Sequence, residues 1–213
     1  MTNQATVFTG TVFALENAAG NITFKADSLM IDNGASISSA AYEGGQAGQV
    51  SVNASQNLTV KNGGSINSDA TYYGASGDVG VRAGTLALQS GGSISANSFG
   101  SNAAGNVTVE VSNISIDGAG SQIARVNDGF PLFDGEEGFP AGEITITGSS
   151  ITLSNGGAVT TNSDSGSAGD ISLVLPKNGR VILEGANAPA PSRQVQVRVP
   201  VVISPSPTPM PSS

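Results

Sequence analysis

One unit recurs along this chain at a nearly constant period. A small residue followed by glycine closes at Gly20, Gly48, Gly77, Gly105, Gly142 and Gly169, at intervals of 28, 29, 28, 37 and 27 residues. Two residues after each glycine stands Ile22, Val50, Val79, Val107, Ile144 or Ile171. Four after it stands Phe24, Val52, Val81, Val109, Ile146 or Leu173. The pairs Leu29/Ile31, Leu58/Val60, Leu86/Leu88, Ile114/Ile116 and Ile151/Leu153 follow, then a lone Ile37, Ile66, Ile94, Ile123 or Val159. The apolar step within a unit is two residues, so each run is a strand with one buried face. A fixed period of this length makes each unit one turn of a solenoid, because a single unit cannot bury its apolar face alone.

The corners are legible as well. The second strand ends in Asn33-Gly34, Asn62-Gly63 and Asn155-Gly156, with Ser90-Gly91 in the third unit. Asn-Gly tolerates positive φ, so a tight corner belongs there. Ala26, Ala54 and Ala83 share the sixth position after the anchor glycine, where a small inward residue suits a narrow bend. Three short strands and three corners in ~28 residues match a coil of a parallel β-helix, whereas an antiparallel propeller blade takes ~40 or more. The expected architecture is all-β: about six coils over residues 20–185, a half-coil cap over 1–19, and a Pro-rich tail over 186–213. In that tail Pro205 to Pro211 alternates proline with Ser, Thr and Met, which favours extended polyproline II.

Composition removes several function classes. Charged residues make up only 11% of the chain and the net charge is −8, so eight Lys and Arg supply no basic stripe for nucleic acid. There is no cysteine, hence no disulfide framework and no thiolate metal site. There is no histidine, the commonest general base and metal ligand. No run approaches the ~18 apolar residues of a membrane span. Residues 1–20 show neither a basic n-region nor a long apolar stretch, so no signal peptide is read there.

The unit Ala-Gly-Asn-Ile-Thr-Phe-Lys-Ala, followed by Ser-Leu-Met-Ile-Asp-Asn-Gly-Ala-Ser-Ile-Ser-Ser, resembles the repeats of filamentous-haemagglutinin-like exoproteins, the long cyanobacterial members above all. The resemblance covers residues 18 to 185. It implies a right-handed parallel β-helix, export by the two-partner route, and a structural or adhesive role at the cell surface. Partners would be cell-surface glycans or a matrix polysaccharide, and the location secreted or outer surface. Members of that family carry an N-terminal secretion domain with an Asn-Pro-Asn-Gly-type signature, which is not found in this sequence. The chain would then be one segment of a longer exoprotein.

Three surface features are candidates for chemistry. The unit with the 37-residue period carries an insertion at 125–140, and insertions in a solenoid emerge as loops from one corner. Its Asp128, Asp134, Glu136 and Glu137 could gather around Ca²⁺ through carboxylate and carbonyl oxygens, or form a solvated acidic loop. Phe130 and Phe133 of the same loop could pin it to the stack or form an exposed recognition patch. Tyr42, Tyr72, Tyr73 and Phe99 fall shortly before successive anchor glycines, where rings could seal a corner or offer a platform to sugar rings.

An enzyme is the competing class, since polysaccharide lyases and pectinases share the β-helix. Acid–base catalysis there needs positioned carboxylates on one face. Asp32, Glu110, Asp117 and Glu143 do not recur at one column in neighbouring coils, and the only nearby cation–carboxylate cluster is Arg125 beside Asp128. The pectinase pattern also calls for histidine. The outward column Thr23, Ser51, Gly80, Thr108, Thr145, Ser172 is too mixed for an ice-binding face. Five Asn-x-Ser/Thr sequons, at Asn21, Asn53, Asn57, Asn106 and Asn113, are expected by chance in a chain of this composition.

Overall fold

The computed structural model describes residues 5–12, 17–72, 74–100, 102–127, 139, 141–163 and 168–185. The period-two runs fold as strands and the described residues contain no helix. In chain order the strands are β1 (Thr6–Val12), β2 (Ile22–Ile31), β3 (Ser36–Tyr42), β4 (Val50–Lys61) and β5 (Ser65–Tyr72). Next come β6 (Val79–Gln89), β7 (Ser93–Ser95), β8 (Ser98–Gly100), β9 (Val107–Asp117) and β10 (Gln122–Asn127). The last five are β11 (Ile144–Thr147), β12 (Ser150–Ser154), β13 (Ala158–Ser163), β14 (Ile171–Val174) and β15 (Arg180–Glu184).

Every recorded strand pairing is parallel, and consecutive coils stack strand on strand. One sheet runs β1-β3-β5-β7-β10-β13, the other β14-β11-β9-β6-β4-β2, with β12 and β15 extending the second. The result is a β-solenoid of about five turns, with coils roughly 29 residues apart. It holds fewer full coils than six because the coil from Gly169 consists of β14 and β15 alone among the described residues. The first two expected strands of a coil also merge into one bent strand of 10 to 12 residues in β2, β4, β6 and β9. The bend falls after Ala26 and Ala54, where the ladder register shifts.

The aliphatic columns stack as the repeat predicts. Ile22, Val50, Val79, Val107, Ile144 and Ile171 are successive ladder partners. So are Ile37, Ile66, Ile94, Ile123 and Val159, with Val7 of β1 preceding them. These columns and their three neighbours make one continuous apolar interior from Ile22 to Leu173. Each fully buried Val, Leu or Ile contributes about 1.5–3 kcal/mol before entropy is counted.

The anchor glycines form a column of their own, set by space. A β carbon on Gly48 would lie 2.2 Å from the Gly20 carbonyl oxygen, on Gly77 2.4 Å from that of Gly48, and on Gly105 2.1 Å from that of Gly77. Real β carbons do not approach backbone this closely, so only glycine lets one coil settle on the last. A buried hydroxyl two residues after the lone Ile ties this corner together. Ser39 Oγ accepts from the Gly48 N–H at 2.8 Å and donates to the Gly20 carbonyl at 3.3 Å. Ser68 Oγ repeats the clamp on Gly77 and Gly48, at 2.9 Å each. The opposite corner takes the expected turn, with φ of 53, 50, 48 and 51° at Asn33, Asn62, Ser90 and Asn155.

Gly77→Ala tests this corner. The added methyl group must displace the Gly48 carbonyl and open the stack in the middle of the rod, so the substitution should cost about 1–3 kcal/mol in urea denaturation. An unchanged midpoint would show that the coils do not meet there.

Candidate functional site

The outward face of the second sheet holds a groove of about 560 Å³ crossing β2, β4, β6 and β9. Its floor is the ladder column Thr23, Ser51, Gly80 and Thr108. Two residues further along each strand, Lys25, Asn53, Arg82 and Glu110 form one wall. Gln49, Asp78 and Asn106, each one residue after an anchor glycine, form the other.

The second wall is held by a ladder of side-chain caps. Asn21 Oδ1 accepts the Gln49 N–H at 2.8 Å, Asp78 Oδ1 the Asn106 N–H at 2.6 Å, and Asn106 Oδ1 the Glu143 N–H at 3.0 Å. Three coils thereby cap a backbone donor of the next. On the first wall the Arg82 guanidinium meets Glu110 at 2.9 Å and 3.0 Å, a two-contact pair exposed to water. Such a surface pair adds little stability, but it fixes the orientation of both side chains over the groove.

Of the four carboxylates singled out in the sequence, Asp32, Glu110 and Asp117 bond between coils, and Glu143 bonds within its own coil. Asp32 accepts from the Asn62 amide and its own neighbour's N–H, and faces Lys61 at 3.4 Å. The Asn62 bond, with these others, holds its carboxyl below the usual range. Asp117 accepts from Ser154 Oγ and the Asn155 amide, both at 2.7 Å, which lowers it in the same way. Glu110 takes Arg82, and Glu143 accepts from Thr145 Oγ1 at 2.8 Å. Among the described residues no group of three or more acidic side chains could hold a metal ion.

The aromatic corner is less regular than its sequence spacing. Thr71 is the ladder partner of Phe99, and Tyr42 lies one step beyond the Ala41–Ala70 pair, opposite Thr71. Tyr42 and Phe99 are therefore two coils apart with a threonine between them. Tyr72 comes one residue later, in the left-handed region at φ 59°. All three rings are exposed, yet the one ring pair among the described residues is Phe8 with Tyr42, at 6.5 Å between centroids. Phe8, an exposed residue of β1, carried no signal in the repeat because it precedes the first anchor glycine. Tyr73, Phe130, Phe133, Asp128, Asp134, Glu136 and Glu137 lie outside the described residues.

Two polar side chains are more shielded than the sequence indicates: Arg125, read there as a cation beside Asp128, and the half-buried Asp69. Arg125 replaces the clamping hydroxyl in the coil that carries the insertion, is fully buried, and has no hydrogen-bond partner on any guanidinium nitrogen. Burial pushes its pKa down to about 10, against the opposing field of Asp78. Asp69 sits on β5, where it accepts from the Asn67 amide and from the Asn97 N–H at 3.0 Å. Desolvation pushes its carboxyl up despite those bonds. The Ser, Asn and Asp of β5 give no hint of which polar group is shielded from water, and Arg125 reads as a loop cation because its strand runs into the insertion.

Comparison with family models, curated proteins and solved structures returned no match.

Asp69 yields a pH-dependent outcome. Its folded pKa is raised, so the folded state is relatively favoured below the unfolded value of 3.8 and loses that advantage as pH rises through the folded value. Asp69→Asn removes the charge, and the unpartnered Asn67 Oδ1 can turn to accept from the new amide. The variant should be more stable than the parent at neutral pH by about 1 kcal/mol, the scale of one net hydrogen bond. The difference should vanish in acid; a difference that persists at low pH would mean the carboxylate is not desolvated.

Proposed function

We propose that this chain is a non-catalytic, structural and adhesive β-helical stalk segment of an exported bacterial surface protein. The observation that carries this reading is the parallel stacking of both sheets, coil on coil. Stacking at about 4.7–4.9 Å per coil makes a rod whose length scales with repeat number. Every outward position is then displayed as a line along the rod, an arrangement suited to many weak contacts rather than one enclosed active centre. Three of the four carboxylates favour the same reading, because Asp32, Glu110 and Asp117 are spent on contacts between coils. The likeness of the repeat unit to filamentous-haemagglutinin-like exoproteins supports export and placement outside the cell. Among the described residues no helix is long and apolar enough to cross a membrane.

The reading is tested by coating beads with the purified chain and measuring retention on cell surfaces and on immobilised matrix polysaccharides. Coated beads should be retained more than albumin-coated ones, with no reducing ends or unsaturated sugar ends released. Release proportional to protein added would replace the stalk with an enzyme. Retention equal to the albumin control would remove the adhesive role.

A further inference from the structure

Gly80 is the residue in the second sheet that the fold itself does not explain. Glycine in a strand interior weakens the strand, and it usually marks a bulge, a close backbone neighbour or a ligand that approaches closely. The first cause is absent: Ser51, Gly80 and Thr108 are successive partners in uninterrupted register. The second is absent too, since a β carbon at Gly80 would meet nothing within 4 Å, and its φ lies outside the positive region. Gly10 and Gly84, also in strands, differ, because a β carbon would meet the Phe8 ring at Gly10 and the Gln56 carbonyl at Gly84. The flanking coils carry a hydroxyl residue at this column, so stacking alone would favour Ser or Thr here.

Gly80 lies in the middle of the 560 Å³ groove floor. The geometry points to a binding site for a linear, neutral polysaccharide, laid across the coils over Gly80 and held by Ser51, Thr108, Asn53, Gln49 and Arg82. The floor from Thr23 to Thr108 spans three coil steps, about 14 Å, which is the length of a trisaccharide. Hydroxyls and side-chain amides both donate and accept, as vicinal sugar hydroxyls require. The planar Arg82–Glu110 pair supplies donors and acceptors side by side on the first wall. Charge selects among glycans: Lys25 and Arg82 balance Asp78 and Glu110 in the groove, while the chain as a whole carries −8. A polyanion gains nothing from the groove and is repelled by the rest of the surface. An extended peptide finds no unpaired strand edge here, because β4, β6 and β9 are each paired on both sides.

This inference rests on the adhesive reading and supplies its ligand class, and one substitution separates the two. Gly80→Thr restores the hydroxyl column and fills the groove. It should raise the melting temperature by about 2–4 °C through better strand propensity. It should also weaken by tenfold or more the binding of whichever of gluco-, manno- and xylo-hexasaccharide the parent chain binds in calorimetry. A polygalacturonate hexamer, the charged control, should bind neither protein. The site is overturned if no neutral hexasaccharide binds the parent, if binding survives Gly80→Thr, if the polyuronate binds more tightly, or if the variant melts lower than the parent. Bead retention that persists while hexasaccharide binding is absent would keep the adhesive reading and discard the groove. Sugar turnover that is lost in Gly80→Thr would keep the groove and discard the stalk.

Discussion

The close approach of one coil to the next at the anchor glycines governs the rest of this structure. At Gly48, Gly77 and Gly105 the preceding carbonyl leaves no room for a β carbon. This contact sets the phase of each coil. Once the glycines are stacked, the residues two and four positions later have no choice of partner, and the aliphatic columns fall into line. A second glycine column at Gly92 and Gly157, against the carbonyls of Val60 and Ile116, fixes the far end of the long strands. The interior thus needs no large or aromatic side chain to specify it, and aliphatic residues of similar size suffice.

The same stacking explains the low charge. An outward residue in a solenoid has its counterpart about 4.7–4.9 Å above and below, so like charges in successive coils would repel. The chain meets this with neutral ladders, such as Asn57 with Thr85 at 2.7 Å, and alternates sign where charge appears, as in Asp32 with Lys61 and Arg82 with Glu110. The coil with the insertion departs from both patterns. Arg125 takes the place of the clamping hydroxyl there, and its buried guanidinium lacks the partner that Ser39 and Ser68 find in the anchor corner. A buried unpaired charge is costly, so this corner is the least well satisfied of the described stack.

The sequence made the columns and the Asn-Gly corners readable because both depend on one residue's side chain or backbone preference. What depended on the register between coils was hidden. The hydroxyl clamp falls on ordinary serines, and its meaning comes from an anchor glycine nine residues on. Tyr42 and Tyr72 look equivalent in sequence, but the coils are offset so that Thr71 takes the equivalent place. The groove was hidden for the same reason: Thr23, Ser51, Gly80 and Thr108 read as a mixed column, and the glycine became informative only once its empty surroundings were visible. Merged strands were missed because an alanine corner bends the chain without ending its ladder.

The most direct test of the stacked register is a distance between two outward positions of one column. Thr23 and Thr145 are separated by four coil steps through Ser51, Gly80 and Thr108. Spin labels at those two positions should give one narrow distribution centred near the stacking distance of about 19 Å, widened only by label rotamers. The expected insertion begins later than residue 125, since β10 runs to Asn127, and it leaves that value unchanged because Val107 pairs directly with Ile144. A distribution broader than label motion allows, or one displaced by a full coil step, would contradict the stacking on which the fold, the rod and the groove all depend.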